Sequence, residues 1–263
     1  APRGLVVLIH GWEGSHDSAY LYSMACACYA AGYNVFRLNL RDHGGSHHLN
    51  RELFHSARIR EVIGAVRTVQ TLDPVQPLFV IGFSLGGNFA LRVGLYGPPA
   101  GVHPRLALGI CPAIHPAATV RAIDEGPLLF RLYFADKWRK TVAAKQRAFP
   151  DLSLDSLVQP RRLHDVTHRF VAEHTEYDTL EAYFAAYTLT REMLEQSPTP
   201  LAIITAQDDP VVPYEDFRPL RAHGNLRHLL APVHGGHCGF IDNLALDCWS
   251  ERQALSMLDA AAG

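Results

Sequence analysis

The sequence predicts an α/β fold, a mostly parallel sheet with helices on both faces. Three observations carry that reading. Apolar strand-like runs alternate with helix-like segments from Leu5 to Cys111, in the order β-α-β-α-β-α-β. Those runs are continuous and do not alternate with polar residues, as expected of strands buried on both faces. After a long interruption the alternation resumes at Pro200.

The first strand is Leu5 to Ile9, a branched apolar run ending at His10-Gly11. Ser18 to Ala31 is Ala-rich with apolar residues at helical spacing, and Gly32 stands where a helix terminus favours a left-handed residue. Asn34 to Leu40 is the second strand and Arg41 to His48 a polar loop. Ser56 to Leu72 reads as a helix closed by Asp73-Pro74. Leu78 to Phe83 is a strand, Leu85 to Tyr96 a helix and Arg105 to Cys111 a strand ending at Pro112. Residues 113–199 then carry helix-like segments and no convincing strand, so they form a helical cap inserted between two parts of the core, 1–112 and 200–263. The core resumes with a strand at Pro200 to Ala206, a short helix at Glu215 to Ala222, a strand at Leu226 to Ala231 and a helix at Ala245 to Ala262.

Composition removes several classes of function. With 48% apolar and 19% charged residues, the chain is neither disordered nor fibrous. A formal charge of −2 gives no electrostatic footprint for nucleic acid. No apolar run is long enough to span a bilayer, so no stable membrane insertion is expected. Five cysteines without framework spacing fit a reducing, cytoplasmic setting, and Cys26-Ala-Cys28 reads as helix packing. The sequence does not open with Met and enters its first strand at once; either the native chain starts there or an N-terminal piece precedes it.

The sharpest chemical signal is Gly82-Phe83-Ser84-Leu85-Gly86, a G-x-S-x-G between a predicted strand and a predicted helix. A strand turning sharply into a helix strains its corner residue, and glycines on either side remove side chains that would collide there. Ser84 is thereby presented as a nucleophile. A serine hydroxyl needs a base to take its proton, and the base needs an acid to orient it. Both follow late strands. Asp208-Asp209-Pro210 comes after the strand ending at Ala206, and His234-Gly235-Gly236-His237 after the strand ending at Ala231. Each loop offers two candidates; loop length favours Asp209 as acid, with Asp208 still open, and His237 as base, with His234 structural. The Leu85 N–H at the helix start is one oxyanion donor, and Gly11 lets the Trp12 N–H supply the second.

These residues together resemble the α/β-hydrolase superfamily. Gly11-Trp12-Glu13-Gly14-Ser15, Asp42-His43-Gly44-Gly45-Ser46, Gly82-Phe83-Ser84-Leu85-Gly86-Gly87-Asn88 and His234-Gly235-Gly236-His237 look more narrowly like its YheT-like branch of esterases. The segment Phe170 to Tyr187 looks like that branch's cap. The resemblance implies a hydrolase with Ser84, Asp209 and His237 as triad, acting without cofactor or metal on a small ester, lipid-like substrates included. Members usually carry further strands ahead of the oxyanion loop, so a six-stranded sheet is expected in place of eight.

Fifteen histidines are many for this length. His43, His47, His48 and His55 crowd one region near Asp42, but without metal-ligand spacing they read as a surface or cap-contacting loop. The cap aromatics, among them Phe134, Trp138, Phe170 and Tyr183, supply both its own packing and the walls of an acyl pocket. An acyltransferase using the same acyl-enzyme is the alternative reading. A ligand-binding homologue without catalysis is disfavoured, because no triad position is lost.

Overall fold

The structure is a computed structural model that describes every residue except Ala1, Pro160 and Gly263. Its strands are β1 (Leu5–Ile9), β2 (Asn34–Leu38), β3 (Leu78–Phe83), β4 (Leu106–Ile110), β5 (Leu201–Ile204) and β6 (Leu226–Leu230). They form one sheet in the order β2-β1-β3-β4-β5-β6, every neighbouring pair parallel. The four inner strands are buried along their whole length, whereas β2 and β6 are partly exposed, as edge strands must be.

Continuous apolar strands supply two faces at once because successive side chains point in opposite directions. Val7, Ile9 and Val80 face one layer, with Val66 of α2 (Ile59–Gln70) and Phe89 and Val93 of α3 (Leu85–Tyr96). Val6, Leu8, Phe79 and Ile81 face the other, with Leu21 and Met24 of α1 (Ala19–Ala30) and Ala254 and Leu258 of α9 (Trp249–Ala262). Chain order reverses at β1: β2 lies on one side of it and β3 on the other. Parallel sheets place ligand sites at the carboxyl ends of strands beside such a switch. Ile9 pairs with Gly82, so the loops leaving β1 and β3 emerge side by side.

Between β4 and β5 run α4 (Pro116–Glu125), α5 (Leu128–Ala148), α6 (Leu163–His174), α7 (Leu180–Ala185) and α8 (Arg191–Glu195), with no strand among the described residues. Val142 of α5, Phe170 of α6 and Tyr183 of α7 continue the layer that holds α2 and α3, while Ile123 of α4 and Leu194 of α8 pack in a further cluster with Leu91 and Ile203. α5 is fastened to the core by a buried charge. Lys145 Nζ lies 2.8 Å from Asp42 Oδ1 and donates to the carbonyls of Asn50 and Glu52, while Asp42 Oδ2 accepts the Phe54 N–H.

The helix expected over Ser56 to Leu72 spans only Ile59–Gln70, and two others depart further from expectation. The segment Glu215 to Ala222 is one 3₁₀ turn at Tyr214–Asp216, because Pro219 has no N–H to donate and its ring would meet the carbonyl one turn back. The last helix starts at Trp249 and not at Ala245. Asn243 Oδ1 accepts the N–H groups of Ala245 and Asp247, and Leu246 has φ 64°, outside the helical region. Cys28 packs in the core as expected, but Cys26 is exposed.

Candidate active site

Ser84 stands at the corner between β3 and α3 with φ 54° and ψ −120°. The corner is possible because its neighbours have no side chain: a Cβ on Gly82 would lie 1.9 Å from the Gly86 carbonyl oxygen, and one on Gly86 would lie 2.3 Å from that of His10. The Ser84 N–H donates to Ile110 O at 2.8 Å, tying the corner to β4. Ser84 Oγ lies 3.0 Å from His237 Nε2, and His237 Nδ1 lies 2.9 Å from Asp209 Oδ2.

Asp209 is fully buried, and its Oδ1 also accepts the N–H groups of Val211 and Val212. Two backbone donors and the imidazole thus satisfy its oxygens away from water. Burial pushes the His237 imidazole down, but the Asp209 carboxylate on Nδ1 and the neighbouring Cys111 together outweigh it and leave the ring more basic than an ordinary histidine. Asp208 and His234 do not join this chain. Asp208 Oδ1 accepts the N–H groups of Gly235 and Gly236 at 2.9 and 2.8 Å, its Oδ2 lies 3.3 Å from His234 Nδ1, and those backbone donors hold its carboxyl below the usual range.

The loop after β1 is held by two neutral histidines. His10 Nε2 accepts the Leu40 N–H at 3.1 Å, so the proton sits on Nδ1 and is donated to Gly11 O at 2.7 Å. Gly14 N–H donates to the same oxygen at 3.0 Å. In a trans peptide C=O and N–H point opposite ways, so fixing the Gly11 carbonyl fixes the direction of the Trp12 N–H. His43 repeats the arrangement, accepting the Glu13 N–H on Nε2 and donating from Nδ1 to Arg41 O. Burial lowers these histidines to about 4 and about 3 respectively. Among the described residues neither the Trp12 nor the Leu85 N–H donates to another protein group. Both residues line the cavity that holds Ser84.

That cavity encloses about 250 Å³ and opens between Ser84 and the inserted helices. Val120, Phe134, Trp138, Val166, Phe170 and Tyr187 wall it. The Trp12 indole stacks on Phe134 at 5.6 Å and approaches Trp138 at 6.0 Å, joining the loop after β1 to α5.

A serine corner between strand and helix, facing a histidine and a buried aspartate from later loops, is an arrangement with relatives. Residues 4–244 match the family described as alpha/beta hydrolase fold. The chain belongs to that family. Among α/β-hydrolases it is 25% identical over 260 residues to the Escherichia coli (strain K12) protein named "Putative esterase YheT", covering 94% of this chain and 74% of that one. It is 24% identical over 201 residues to human monoacylglycerol lipase ABHD2, covering 69% of this chain but only 46% of the lipase. The Pyrococcus furiosus esterase Pf2001 superposes with a TM-score of 0.64 at 16% identity, over all of this chain and 85% of the esterase. The Paleococcus ferrophilus monoacylglycerol lipase does so with a TM-score of 0.58 at 18% identity, over 99% and 96%.

Within this α/β-hydrolase the histidine-rich region, expected to be a surface or cap-contacting loop, packs against the inserted segment at His55 and is not wholly at the surface. His43 and His55 are buried, His43 because it receives the Glu13 N–H and His55 because it packs against Tyr177 and Tyr183. These histidines do not converge on a metal site. Among the described residues, the group of three or more His, Cys, Asp or Glu side chains close enough to share an ion is Cys111, His237 and Cys238. Glu13 was no candidate in the sequence, yet it lines the cavity with its carboxyl buried and Oε2 accepting from Thr141 Oγ1 of α5. Burial raises it to about 7. Only the pairing of the loop after β1 with α5 reveals it.

Proposed function

We propose that the protein is a serine hydrolase that cleaves carboxylic esters through an acyl-enzyme, with Ser84 as nucleophile, His237 as base and Asp209 as acid. The observation that carries this reading is the unbroken chain from Ser84 Oγ through His237 to Asp209 at the mouth of an apolar cavity. His237 Nε2 takes the Ser84 proton as Oγ attacks the ester carbonyl. Asp209 keeps the other ring proton on Nδ1 and stabilises the imidazolium that forms. The Trp12 and Leu85 N–H groups receive the oxyanion, and their freedom from internal partners suits them to it. His237 then protonates the leaving alcohol, and water attacks the acyl-enzyme by the same route in reverse.

The cavity argues for a small ester with an apolar acyl chain, lipid-like esters included. The inserted helices act as a cap whose aromatic face measures that chain. The names of the relatives, an esterase and monoacylglycerol lipases, agree with this chemistry. All five cysteines are free, which suits a reducing compartment such as the cytoplasm.

Labelling with a fluorophosphonate probe, together with turnover of p-nitrophenyl esters, tests the proposal. Wild-type protein should label and turn over, and Ser84→Ala should do neither while keeping its circular dichroism and melting temperature. Equal turnover by the variant would remove Ser84 from the mechanism.

A further inference from the structure

Two thiols lie against the proposed base. Cys111 follows β4 and Cys238 follows His237, and one ligand atom from each of Cys111, Cys238 and His237 lies within 4.8 Å of the others. Cys111 is fully buried and Cys238 nearly so, while Cys238 and His237 both line the cavity, which gives the group a route from solvent. Neither thiol has a close backbone partner: Cys111 Sγ is 3.8 Å from Gly236 O, and Cys238 Sγ is 3.8 Å from Ile110 O. Both residues hold positive φ, 45° and 66°, a costly backbone state for a side-chain-bearing residue. Two sulfurs and an imidazole are the donor set preferred by thiophilic, tetrahedral metal ions.

We propose that Cys111, Cys238 and His237 form a binding site for a thiophilic divalent metal ion of the zinc or cadmium class, and that its occupation switches the enzyme off. The inhibitory half rests on the reading of His237 as base; the site itself does not. A neutral imidazole has one lone pair, and a metal that takes it leaves none for the Ser84 proton, whichever ring nitrogen binds. As the two sulfur–metal bonds form, each thiol releases its proton to solvent. Two thiolates cancel the charge of the ion, so no net charge is buried. A tetrahedral ion with Zn–S of about 2.3 Å and Zn–N of about 2.0 Å holds its ligands about 3.5 Å apart, so the group draws in by roughly an ångström.

The test titrates Zn²⁺ and Cd²⁺ against ester hydrolysis by the whole chain, with Mg²⁺, which prefers oxygen ligands, as control. Zn²⁺ and Cd²⁺ should inhibit, a chelator should restore activity, and Mg²⁺ should do nothing. Cys111→Ala and Cys238→Ala should each raise the inhibiting concentration by about tenfold or more. In parallel, Cd²⁺ binding is followed by the ultraviolet thiolate-to-cadmium absorption, which needs no turnover. The band should appear in wild type and in Ser84→Ala and lose two thiolate contributions in the double cysteine variant. A band and an inhibition midpoint unmoved by both substitutions would overturn the site. A full band without inhibition would keep the two sulfur ligands and overturn His237 as the third ligand and the inhibitory half of the proposal. Should the cysteine variants fail to fold, a cadmium-soaked crystal of wild-type protein decides: anomalous density among the three side chains supports the site, and its absence there refutes it.

Discussion

Asp208 grips the residue before the proposed base: its Oδ1 accepts the Gly236 N–H at 2.8 Å, one position ahead of His237. Its neighbour Asp209 reaches the imidazole itself, 2.9 Å from Nδ1. Adjacent carboxylates on one loop thus divide the work, one holding the backbone of the histidine loop and the other the ring. Asp209→Asn is expected to lower kcat by a factor on the order of 10³, since the amide neither stabilises the imidazolium nor fixes the tautomer. Asp208→Asn retains an acceptor for the glycine N–H groups and should cost less than about tenfold. Steady-state kinetics on one p-nitrophenyl ester ranks the two, and the opposite ranking would exchange their roles.

Ser84 holds φ 54°, a costly backbone state for a residue with a side chain, and its hydroxyl makes the His237 contact in return. Replacing it with glycine relieves the corner. Ser84→Gly is therefore expected to abolish turnover and yet to raise stability by about 1 kcal/mol, read as a higher urea midpoint. A lower midpoint would show that the hydroxyl stabilises the corner more than the strain costs.

The core was readable in the sequence because each inner strand is a continuous apolar run and each turn beside Ser84 is marked by glycine. Gly82, Gly86 and the β3–α3 junction are local signals, and they locate Ser84 without knowledge of the rest. The choice between Asp208 and Asp209 was not local. It depends on which carboxyl turns inward to Val211 and Val212 N–H and which turns out to Gly235 and Gly236. The buried roles of His10, His43 and Lys145 were invisible for the same reason: their partners are 30, 30 and 103 residues away. The helix expected at Glu215 to Ala222 failed on a signal that was present, Pro219 inside the segment.

Lys145 and Asp42 are both buried, and their contact joins α5 to the loop after β2. A buried pair contributes little net stability, but removing one partner strands the other charge. Lys145→Ala should cost about 3–5 kcal/mol in denaturant unfolding, and the double variant Lys145→Met, Asp42→Asn should recover most of that loss. An additive double variant would mean that the two charges are not coupled.

Neutral, buried histidines make stability depend on acid. His10 and His43 take up a second ring proton in the fold only below about 4 and about 3, whereas an unfolded histidine does so near 6.5. Their contribution is thus complete above pH 6.5 and is lost as pH falls from there toward 4, by as much as about 1.4 kcal/mol per pH unit for each ring. Urea midpoints at pH 7.5, 6 and 5 should fall steadily, and His43→Gln should flatten the slope. A midpoint constant over that range would mean that the two rings accept protons inside the fold.

The proposed acyl pocket offers a length test that does not touch Ser84. Val166 of α6 lines the cavity, and a phenyl ring there would occupy the space of several chain carbons. Val166→Phe is expected to lower kcat/KM for long-chain p-nitrophenyl esters by about tenfold, with acetate ester turnover little changed, because the short acyl group does not reach α6. Phe134→Ala, which removes the ring stacked on Trp12, should act in the other direction and favour longer chains. If both variants scale all esters alike, the inserted helices do not measure the acyl chain and the substrate enters elsewhere.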